Sequence, residues 1–150
     1  MPDDRETSSS KTRGIAPSFL ITRLALAFVF FWHGLVPKLI VRHPLEAELL
    51  TLTGIEEGVA WTLVTVAGIG EMLWAAVLLV MMKARWPAVI SAVALVGLLV
   101  GAIAVKPDLL EAPFNPLTLT VGLVALCVID VKERSRPRGP VLGRPGENTP

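Results

Sequence analysis

The stretch Trp86–Val105 reads WPAVISAVALVGLLVGAIAV and decides the class of the fold. Only Ser91 interrupts its apolar residues, so a helix over this stretch has no polar face to lie against water. About 20 helical residues cross the roughly 30 Å of hydrocarbon in a bilayer. The stretch is therefore typical of a membrane-spanning helix and not of a helix in a soluble bundle.

Three more apolar stretches accompany it. Phe19–Ile40 and Val59–Met82 are long enough to span a bilayer, and Pro116–Val131 is shorter, so it would stand nearly upright or include the two residues before it. The chain of 150 residues is 53% hydrophobic and 18% charged, whereas about a quarter of a soluble domain is charged. We predict an all-α integral membrane four-helix bundle over residues 19–131.

Both ends of the chain differ from this central part. Residues 1–18 and 132–150 are polar and rich in Ser, Pro, Gly and charge, so we predict disordered tails. We expect no cleavable signal peptide, because the polar start is long and the first apolar run has full length. With the tails and the Lys83–Arg85 turn on one side, that side holds ten Lys and Arg, against Lys38, Arg42 and Lys106 on the other. The excess predicts that both termini are cytoplasmic.

The loop after the first span has the pattern of a short helix. Pro44 is suited to a first turn, Glu46 would favour the positive end of the helix dipole, and Gly54 is suited to its end. Leu45, Leu49 and Leu52 would share one face. We predict a helix on the outer membrane surface, or a lid over the bundle; the sequence leaves both open.

Small residues predict where the helices approach each other. Gly97 and Gly101 are four residues apart in the third span, a spacing that favours close helix contact in membranes. Gly68, Gly70 and Ala75 suggest the same for the second span.

Glu71 is the most informative residue, because a charge near the bilayer centre costs on the order of 3 kcal/mol. Pairing with a cation or protonation would lower this cost. We predict Arg23 as its leading partner and His33 as the other candidate, in a contact that fixes helix pairing or in a functional site. Arg23 has an alternative as well, since it could reach the headgroups or meet Asp130.

A second group of polar residues lies around the outer end of the first span: His33, Lys38, His43 and Glu46. We expect His33 to be hydrogen-bonded structure or a ligand contact, and Lys38 to be an interfacial anchor or part of a site. The two histidines do not suit a haem site, and no zinc, nucleotide or catalytic-triad pattern is present. We predict no catalytic residue, no metal site and no cofactor bound by the chain alone, and we expect Cys127 to be inert. The net charge of +1 argues against nucleic-acid binding.

Several of these residues together resemble the DoxX-like family, which comprises small four-helix bacterial membrane proteins. The resemblance covers about residues 19–131, and the family pattern has an asparagine where this chain has Thr120. The matching residues are Arg23, His33-Gly34-Leu35-Val36-Pro37-Lys38-Leu39, His43-Pro44-x-Glu46, Thr53-Gly54, Gly68-x-x-Glu71 and Ala112-Pro113-Phe114-Asn115-Pro116-Leu117-Thr118.

The resemblance implies a multi-pass protein of the bacterial plasma (inner) membrane. Relatives in the wider group include the small membrane subunit of a thiosulfate:quinone oxidoreductase and a membrane partner of a sulfurtransferase and a superoxide dismutase. By this analogy the chain would be a non-catalytic subunit of a redox or stress-related complex, in contact with lipid, a redox enzyme or further copies of itself. Quinone is the cofactor that the analogy allows, and Arg23, His33, Lys38 and Glu71 would bind its carbonyls.

The residues are also compatible with two other functions. Glu71 could titrate inside the bundle of a small proton-linked transporter or permease. Alternatively, the buried charges could only fix the helix register of a membrane scaffold that has no chemistry of its own.

Overall fold

A computed structural model describes residues 17–111, 113 and 115–135 of the chain. Of these residues, 86% are helical and none lies in a β-strand, in agreement with the predicted all-α class. The elements in chain order are α1 (Pro17–His33), a π-helical segment (Gly34–Ile40), α2 (Pro44–Leu52), α3 (Glu57–Val80), α4 (Trp86–Val105), a 3-10 turn (Pro107–Leu110) and α5 (Pro116–Ser135).

Three of the helices are long and apolar enough to cross a membrane. They are Phe19–Ile40, which joins α1 to the π-helical segment, then α3 and α4. Helix α5 is not among them, although it packs along both α1 and α4. Helix α1 begins at Pro17 and α5 runs to Ser135, so both extend into the predicted tails. The remainder of those tails, 1–16 and 136–150, lies outside the described residues.

Helix α1 occupies the centre of the arrangement. It packs against α3 on one side and α5 on the other, and α4 packs on α5. Small and aliphatic side chains fill the space between them, because closely packed helices leave little room there. The buried members of this core are Leu26, Ala27, Phe30, Ala75, Leu78, Ala88, Leu123 and Cys127.

Ser91, the polar residue of the most apolar span, is fully buried and has two hydrogen-bond partners. Its hydroxyl donates to the Pro87 carbonyl at 2.8 Å and accepts from the Trp74 indole at 2.9 Å. The second bond connects α3 to α4. A single hydroxyl is therefore accommodated in the span because both its donor and its acceptor capacity are used.

The helix predicted in the first loop is confirmed as α2. It packs against α3, with Ala47 buried beside Ala60 and Val64. The predicted leucine face is not the contact face: at 100° per residue Leu45, Leu49 and Leu52 lie on the opposite side of α2 from Ala47. The small Ala47 side chain explains the difference, since it lets the α2 backbone lie close to α3. Helix α2, the start of α3 and the end of α4 form one end of the molecule, hereafter the α2 end.

The small residues divide into two groups. Gly68 and Ala75 are buried between helices, as predicted. Gly70, Gly97 and Gly101 are exposed, and a Cβ added to any of them would meet nothing within 4 Å among the described residues. The prediction of close contact at these three positions is wrong within this chain, because α4 buries its Ala88 and Ser91 side and leaves Gly97 and Gly101 outside.

Large apolar side chains cover the outside of the helices. More than 60% of the residue surface is exposed at Val66, Leu73, Val80, Val93 and Leu98. Soluble monomers rarely expose apolar surface on this scale, whereas lipid-facing helices do so along their whole length. These surfaces are consistent with a bilayer around the helices.

Candidate functional site

A π-helical segment continues α1 over Gly34–Ile40 and contains Pro37. Proline has no N–H to donate, and its ring collides with the carbonyl four residues earlier in a regular α-helix. The segment is wound more widely than an α-helix: the Val41 N–H donates to the Val36 carbonyl, five residues back, at 2.8 Å. Gly34 and Lys38 are the buried residues of the segment. Pro37 thus produces a local irregularity that turns Lys38 toward the neighbouring helix, and such π turns are frequent at functional sites.

Two glycines bring this segment into contact with α3. A Cβ on Gly34 would overlap the carbonyl oxygen of Gly68 and lie 3.0 Å from the Glu71 Cβ. A Cβ on Gly68 would lie 2.8 Å from the Gly34 carbonyl oxygen and 3.0 Å from the Lys38 Cβ. The contact requires glycine on both sides, because any side chain would separate the two backbones. It also places the stems of Lys38 and Glu71 side by side.

Lys38 forms ion pairs with two carboxylates. Its ammonium donates a hydrogen bond to Oε1 of Glu71, and it lies 3.1 Å from Oε2 of Glu46 on α2. The Lys38 side chain is 8% exposed, against 19% for Glu71 and 38% for Glu46. We call these three residues the Lys38 cluster. It joins the π-helical segment, α2 and α3 through one cation.

The charges of the Lys38 cluster do not balance. One ammonium faces two carboxylates, so the formal charge is −1 when both acids are ionised. The second oxygen of Glu71, Oε2, is buried and accepts no hydrogen bond from the described residues. An unpartnered buried oxygen costs free energy, and a net charge away from water costs more. The cluster is therefore suited to take up a proton or to accept a hydrogen bond from a ligand.

Residues around α2 hold it at this position. The Nδ1 atom of His43 accepts a hydrogen bond from the Leu45 N–H at 3.3 Å, so His43 caps the start of α2. Lys106, after the end of α4, donates to Glu48 at 2.6 Å, and this bond raises the pKa of Lys106 above its ordinary value. The Arg42 guanidinium lies 5.0 Å from the centre of the Trp61 ring. His43, a predicted loop candidate, thus has a structural role.

Arg23 lies in a different place from the Lys38 cluster and has a different partner from the one predicted. Its Nε donates to Asp130 of α5 at 2.9 Å, and both side chains are fully buried. The other guanidinium nitrogens donate to the carbonyls of Leu78 at 3.5 Å and Ala84 at 2.5 Å. These residues form the Arg23 cluster at the α3–α4 turn, which is the end of the molecule where α1 begins and α5 ends.

The predicted Arg23–Glu71 contact is therefore wrong, and the alternative contact with Asp130 is confirmed. Arg23 enters α1 close to its start, and the residues that meet it there are the turn after α3 and the last turns of α5. The predicted His33–Glu71 ion pair is also absent from the described residues: the His33 side chain is exposed, and Lys38 holds Glu71. Lys38, which we expected to be an interfacial anchor or part of a site, lies between the two carboxylates of the Lys38 cluster.

Asn115 and Pro116 form the start of α5. The side-chain oxygen of Asn115 accepts from the Thr118 N–H at 2.9 Å, and Pro116 begins the helix. Pro113 is exposed, and Ala112 and Phe114 lie outside the described residues. Thr120, at the position where the family pattern has asparagine, is buried. The Asn115-Pro116 pair therefore caps and begins α5, and it is distant in sequence from the Lys38 cluster.

No group of three His, Cys, Asp or Glu side chains among the described residues is arranged to hold a metal ion. Cys127 is buried between α1 and α5 as part of the core.

A comparison with protein-family sequences decides which family the chain belongs to. The sequence model of the DoxX-like family matches residues 27–128. The chain belongs to the DoxX-like family. The match contains the whole Lys38 cluster, and Arg23 and Asp130 lie just beyond its two ends. Neither the comparison with curated proteins nor that with solved structures gives a significant match. Family and helices together identify this DoxX-like chain as a membrane protein.

Proposed function

We propose that this DoxX-like protein is a four-helix, multi-pass protein of a bacterial plasma membrane, with both termini in the cytoplasm. Helix α5 would be the fourth span, which its packing along α1 and α4 supports. The orientation is supported by the ten Lys and Arg of the tails and the Lys83–Arg85 turn, against three on the opposite side. The α2 end would then face the outside. Attachment of an impermeant thiol reagent to a cysteine introduced at Thr53, in intact cells, tests this orientation; labelling only after lysis would contradict it.

We propose further that the protein is a non-catalytic membrane subunit of a redox complex and that the Lys38 cluster is its contact with a quinone headgroup. The observation that carries this proposal is the partly buried Lys38–Glu71 pair with the unpartnered Glu71 Oε2. A quinone carbonyl accepts hydrogen bonds, which an ammonium donates, and a quinol hydroxyl donates one, which a carboxylate oxygen accepts. Quinone supplies the electron chemistry when bound. Lys38 and Glu71 would bind and orient it and exchange its protons.

The position of the Lys38 cluster also suits a membrane-soluble ligand. Both Lys38 and Glu71 belong to apolar helices, and lipid-facing side chains surround them on the outside of the molecule. Arg23, in contrast, does not fit the predicted role in quinone binding. Its guanidinium has three protein acceptors and no exposed surface, so it has nothing to offer a ligand.

The experiment that tests this function uses native membranes. The tagged chain is purified under mild conditions, and co-purifying proteins are identified together with quinone-linked reductase activity. We expect a soluble redox enzyme, and we expect Glu71→Gln to abolish quinone-linked activity without changing the amount of complex. Glu57→Gln is the matched control, because Glu57 is exposed at the start of the same helix. A complex with unchanged activity in Glu71→Gln would refute the quinone contact.

A proton-linked transporter is the second candidate, and the uncompensated charge of the Lys38 cluster is the observation that favours it. Two carboxylates on one lysine can bind and release a proton within a span. The purified chain in proteoliposomes would then carry a pH-dependent flux that Glu71→Gln removes. If neither this flux nor a redox partner is found, the function is that of a scaffold whose charges fix the helix register.

A further inference from the structure

We propose that the four long helices α1, α3, α4 and α5 leave a crevice that opens to the lipid between α3 and α4, and that the ring of a membrane-soluble quinone enters it and lies between His33 and Glu71. The inference names where the ligand of the Lys38 cluster enters and which further residue binds it. It rests on the proposed function for the class of that ligand. The crevice itself is tested without any ligand.

Helices α1 and α3 form one side of the crevice. Residues seven or eleven positions apart on an α-helix point within about 20° of the same direction. His33 therefore faces the same way as Leu26, which is fully buried, but His33 is exposed. Ala67 likewise shares its direction with the fully buried Leu78 and is exposed. The two exposed residues lie at one depth, because each directly precedes one of the two glycines whose backbones touch.

Helix α4 forms the side opposite α3. Its Leu98 points in the same direction as Ser91, yet Leu98 is 63% exposed and Ser91 is fully buried. The hydrogen bond from Trp74 to Ser91 aligns α4 with the antiparallel α3. Leu98 lies seven residues after Ser91, and Ala67 lies seven residues before Trp74. Both are therefore about 10 Å beyond this bond, at one depth.

Helix α5 completes the crevice. Leu119 points in the same direction as Asp130, but Leu119 is exposed and Asp130 is fully buried. The bond between Asp130 and Arg23 aligns α5 with the antiparallel α1. Leu119 lies eleven residues before Asp130, and His33 lies ten residues after Arg23. All four helices thus have an exposed residue at about the same depth, on the face that each buries near the α3–α4 turn.

The crevice opens between α3 and α4. These helices meet near their connecting turn, where Trp74 donates a hydrogen bond to Ser91. At the other end, α2 is joined to the end of α4 by the bond between Lys106 and Glu48. The exposed residues of α3 and α4 described above lie between these two junctions, so lipid reaches the faces that the helices turn toward each other.

Two polar side chains, His33 and Glu71, lie at the depth of this crevice. Glu71 follows Ala67 by four residues, about one turn, and its Oε2 accepts no hydrogen bond from the described residues. The charges of His33 and Glu71 interact, so the two side chains are neighbours. His33 lies about 10 Å before Ile40, the end of its span, and is therefore within the hydrocarbon of the bilayer.

These two groups suit a quinone ring. A quinone has carbonyl oxygens on opposite sides of its ring, and each accepts a hydrogen bond, whereas the hydroxyls of the quinol donate. The imidazole of His33 donates with one nitrogen and accepts with the other, and Lys38 with Glu71 offers the same two functions on the facing side. The apolar residues of the crevice would surround the ring, and the lipid would hold its tail.

The first measurement tests the crevice without a ligand. Ala67→Phe adds a ring at the exposed position, whereas Ala60→Phe adds the same ring seven residues earlier, where Ala60 is fully buried. In lipid nanodiscs the melting temperature should fall by less than about 2 °C in Ala67→Phe and by at least about 4 °C in Ala60→Phe. Equal losses in the two variants would mean that no space faces Ala67 and would overturn the proposal.

The second measurement locates the quinone ring. An azido derivative of a short-chain ubiquinone, activated by light in the same nanodiscs, should attach to the peptides that contain His33 and Glu71. Excess unlabelled quinone should prevent the attachment, because a site saturates whereas lipid does not. Ala67→Phe should lower the yield at least about ten-fold, since its ring occupies the crevice.

Val66→Phe is the matched control for this measurement. Val66 is 61% exposed and points about 100° away from Ala67 around α3, so the added ring faces lipid and the yield should be unchanged. Attachment to other peptides, attachment that excess quinone does not prevent, or an equal yield in the two phenylalanine variants overturns the proposal.

Variants of His33 test its part in binding. His33→Leu removes both hydrogen-bonding atoms and should lower the yield about three- to ten-fold, whereas His33→Gln keeps a donor and an acceptor and should restore most of it. An unchanged yield in His33→Leu, or a loss that His33→Gln does not restore, overturns the assignment of His33. A complex with quinone-linked activity but no attachment in the crevice refutes this inference and leaves the proposed function standing. Attachment in the crevice without a redox partner does the reverse.

Discussion

The two buried ion-pair clusters of this molecule differ in how fully their cations are matched. At the α3–α4 turn, Arg23 meets one carboxylate and two backbone carbonyls, and both ionised side chains are fully buried. At the α2 end, Lys38 meets two carboxylates, so the cluster holds one acid more than it has cations. A matched cluster holds helices together, whereas an unmatched one retains the capacity to bind something.

The choice of cation follows the same division. The planar guanidinium of Arg23 points its nitrogens at three acceptors on different elements, which suits a fixed junction. The ammonium of Lys38 is a compact charge on a flexible stem and can exchange one partner for another.

The largest expected effect is at the matched cluster. Arg23→Gln removes the guanidinium from a fully buried ion pair with Asp130, which costs about 3–5 kcal/mol in the stability of the fold. Thermal unfolding of the purified protein in detergent, followed by circular dichroism, measures the loss. Arg23→Gln together with Asp130→Asn should be less destabilised than the sum of the single variants. Equal stability of Arg23→Gln and the parent chain would mean that the cluster does not hold the helices.

The next effect is at the unmatched cluster. Lys38→Met leaves two carboxylates facing each other and should destabilise the fold by about 1–3 kcal/mol, less than Arg23→Gln because water reaches these acids. Glu46→Gln should cost less than about 1 kcal/mol, since Lys38 keeps Glu71. The same unfolding measurement compares them. If Glu46→Gln costs as much as Lys38→Met, the contact between Lys38 and Glu71 depends on Glu46, and the expectation that Lys38 keeps Glu71 alone is wrong.

The glycine contact that supports the Lys38 cluster should be sensitive to one methyl group. Gly34→Ala places its Cβ against the Gly68 carbonyl, so the π-helical segment must move away from α3, at about 1–3 kcal/mol. Gly97→Ala is the matched control: its Cβ meets nothing within 4 Å, and alanine is the better helix former. The control should therefore be neutral or stabilising in the unfolding measurement. A destabilised Gly97→Ala would instead indicate that α4 contacts another molecule at this position.

The smallest expected effect is the coupling between the two clusters. Arg23 and Lys38 are 15 residues apart in the chain, or about 22 Å along a helix, and they share no partner. The costs of Arg23→Gln and Glu71→Gln should therefore add within about 0.5 kcal/mol. A double variant more stable than this sum would mean that the two clusters are one network, and the contrast between them would fail.

The spans and their ends could be predicted from the sequence more closely than the contacts inside them. The spans Phe19–Ile40 and Trp86–Val105 have the predicted first and last residues, because the limits of a long apolar run can be read from its composition alone. The partner of Glu71 could not be predicted from the spacing of a regular helix, because the helix around Pro37 is not regular. A usable signal was present: Gly34 with Lys38 and Gly68 with Glu71 are spaced so that each glycine shares a helix face with a charge.

The same reasoning explains the outcome for Arg23 and for α2. The sequence offers Arg23 both Glu71 and Asp130 as partners, and its pattern does not favour Asp130. For α2, the leucines predicted an apolar face, whereas the contact with α3 uses Ala47. Helix contacts that depend on close backbone approach use the smallest side chains, which carry the weakest signal in a hydrophobicity pattern.

The π-helical segment has a consequence for chain length. A π turn contains about one residue more than an α turn, so the stretch from Gly34 to Ile40 holds Lys38 in place by means of an extra residue. A helical wheel drawn at 100° per residue through α1 therefore places the residues after the extra one about 100° away from their actual direction. A one-residue gap at this point in a relative would close the π turn and leave the following residues facing the same way, so an alignment has to allow for that gap before it compares the lysine.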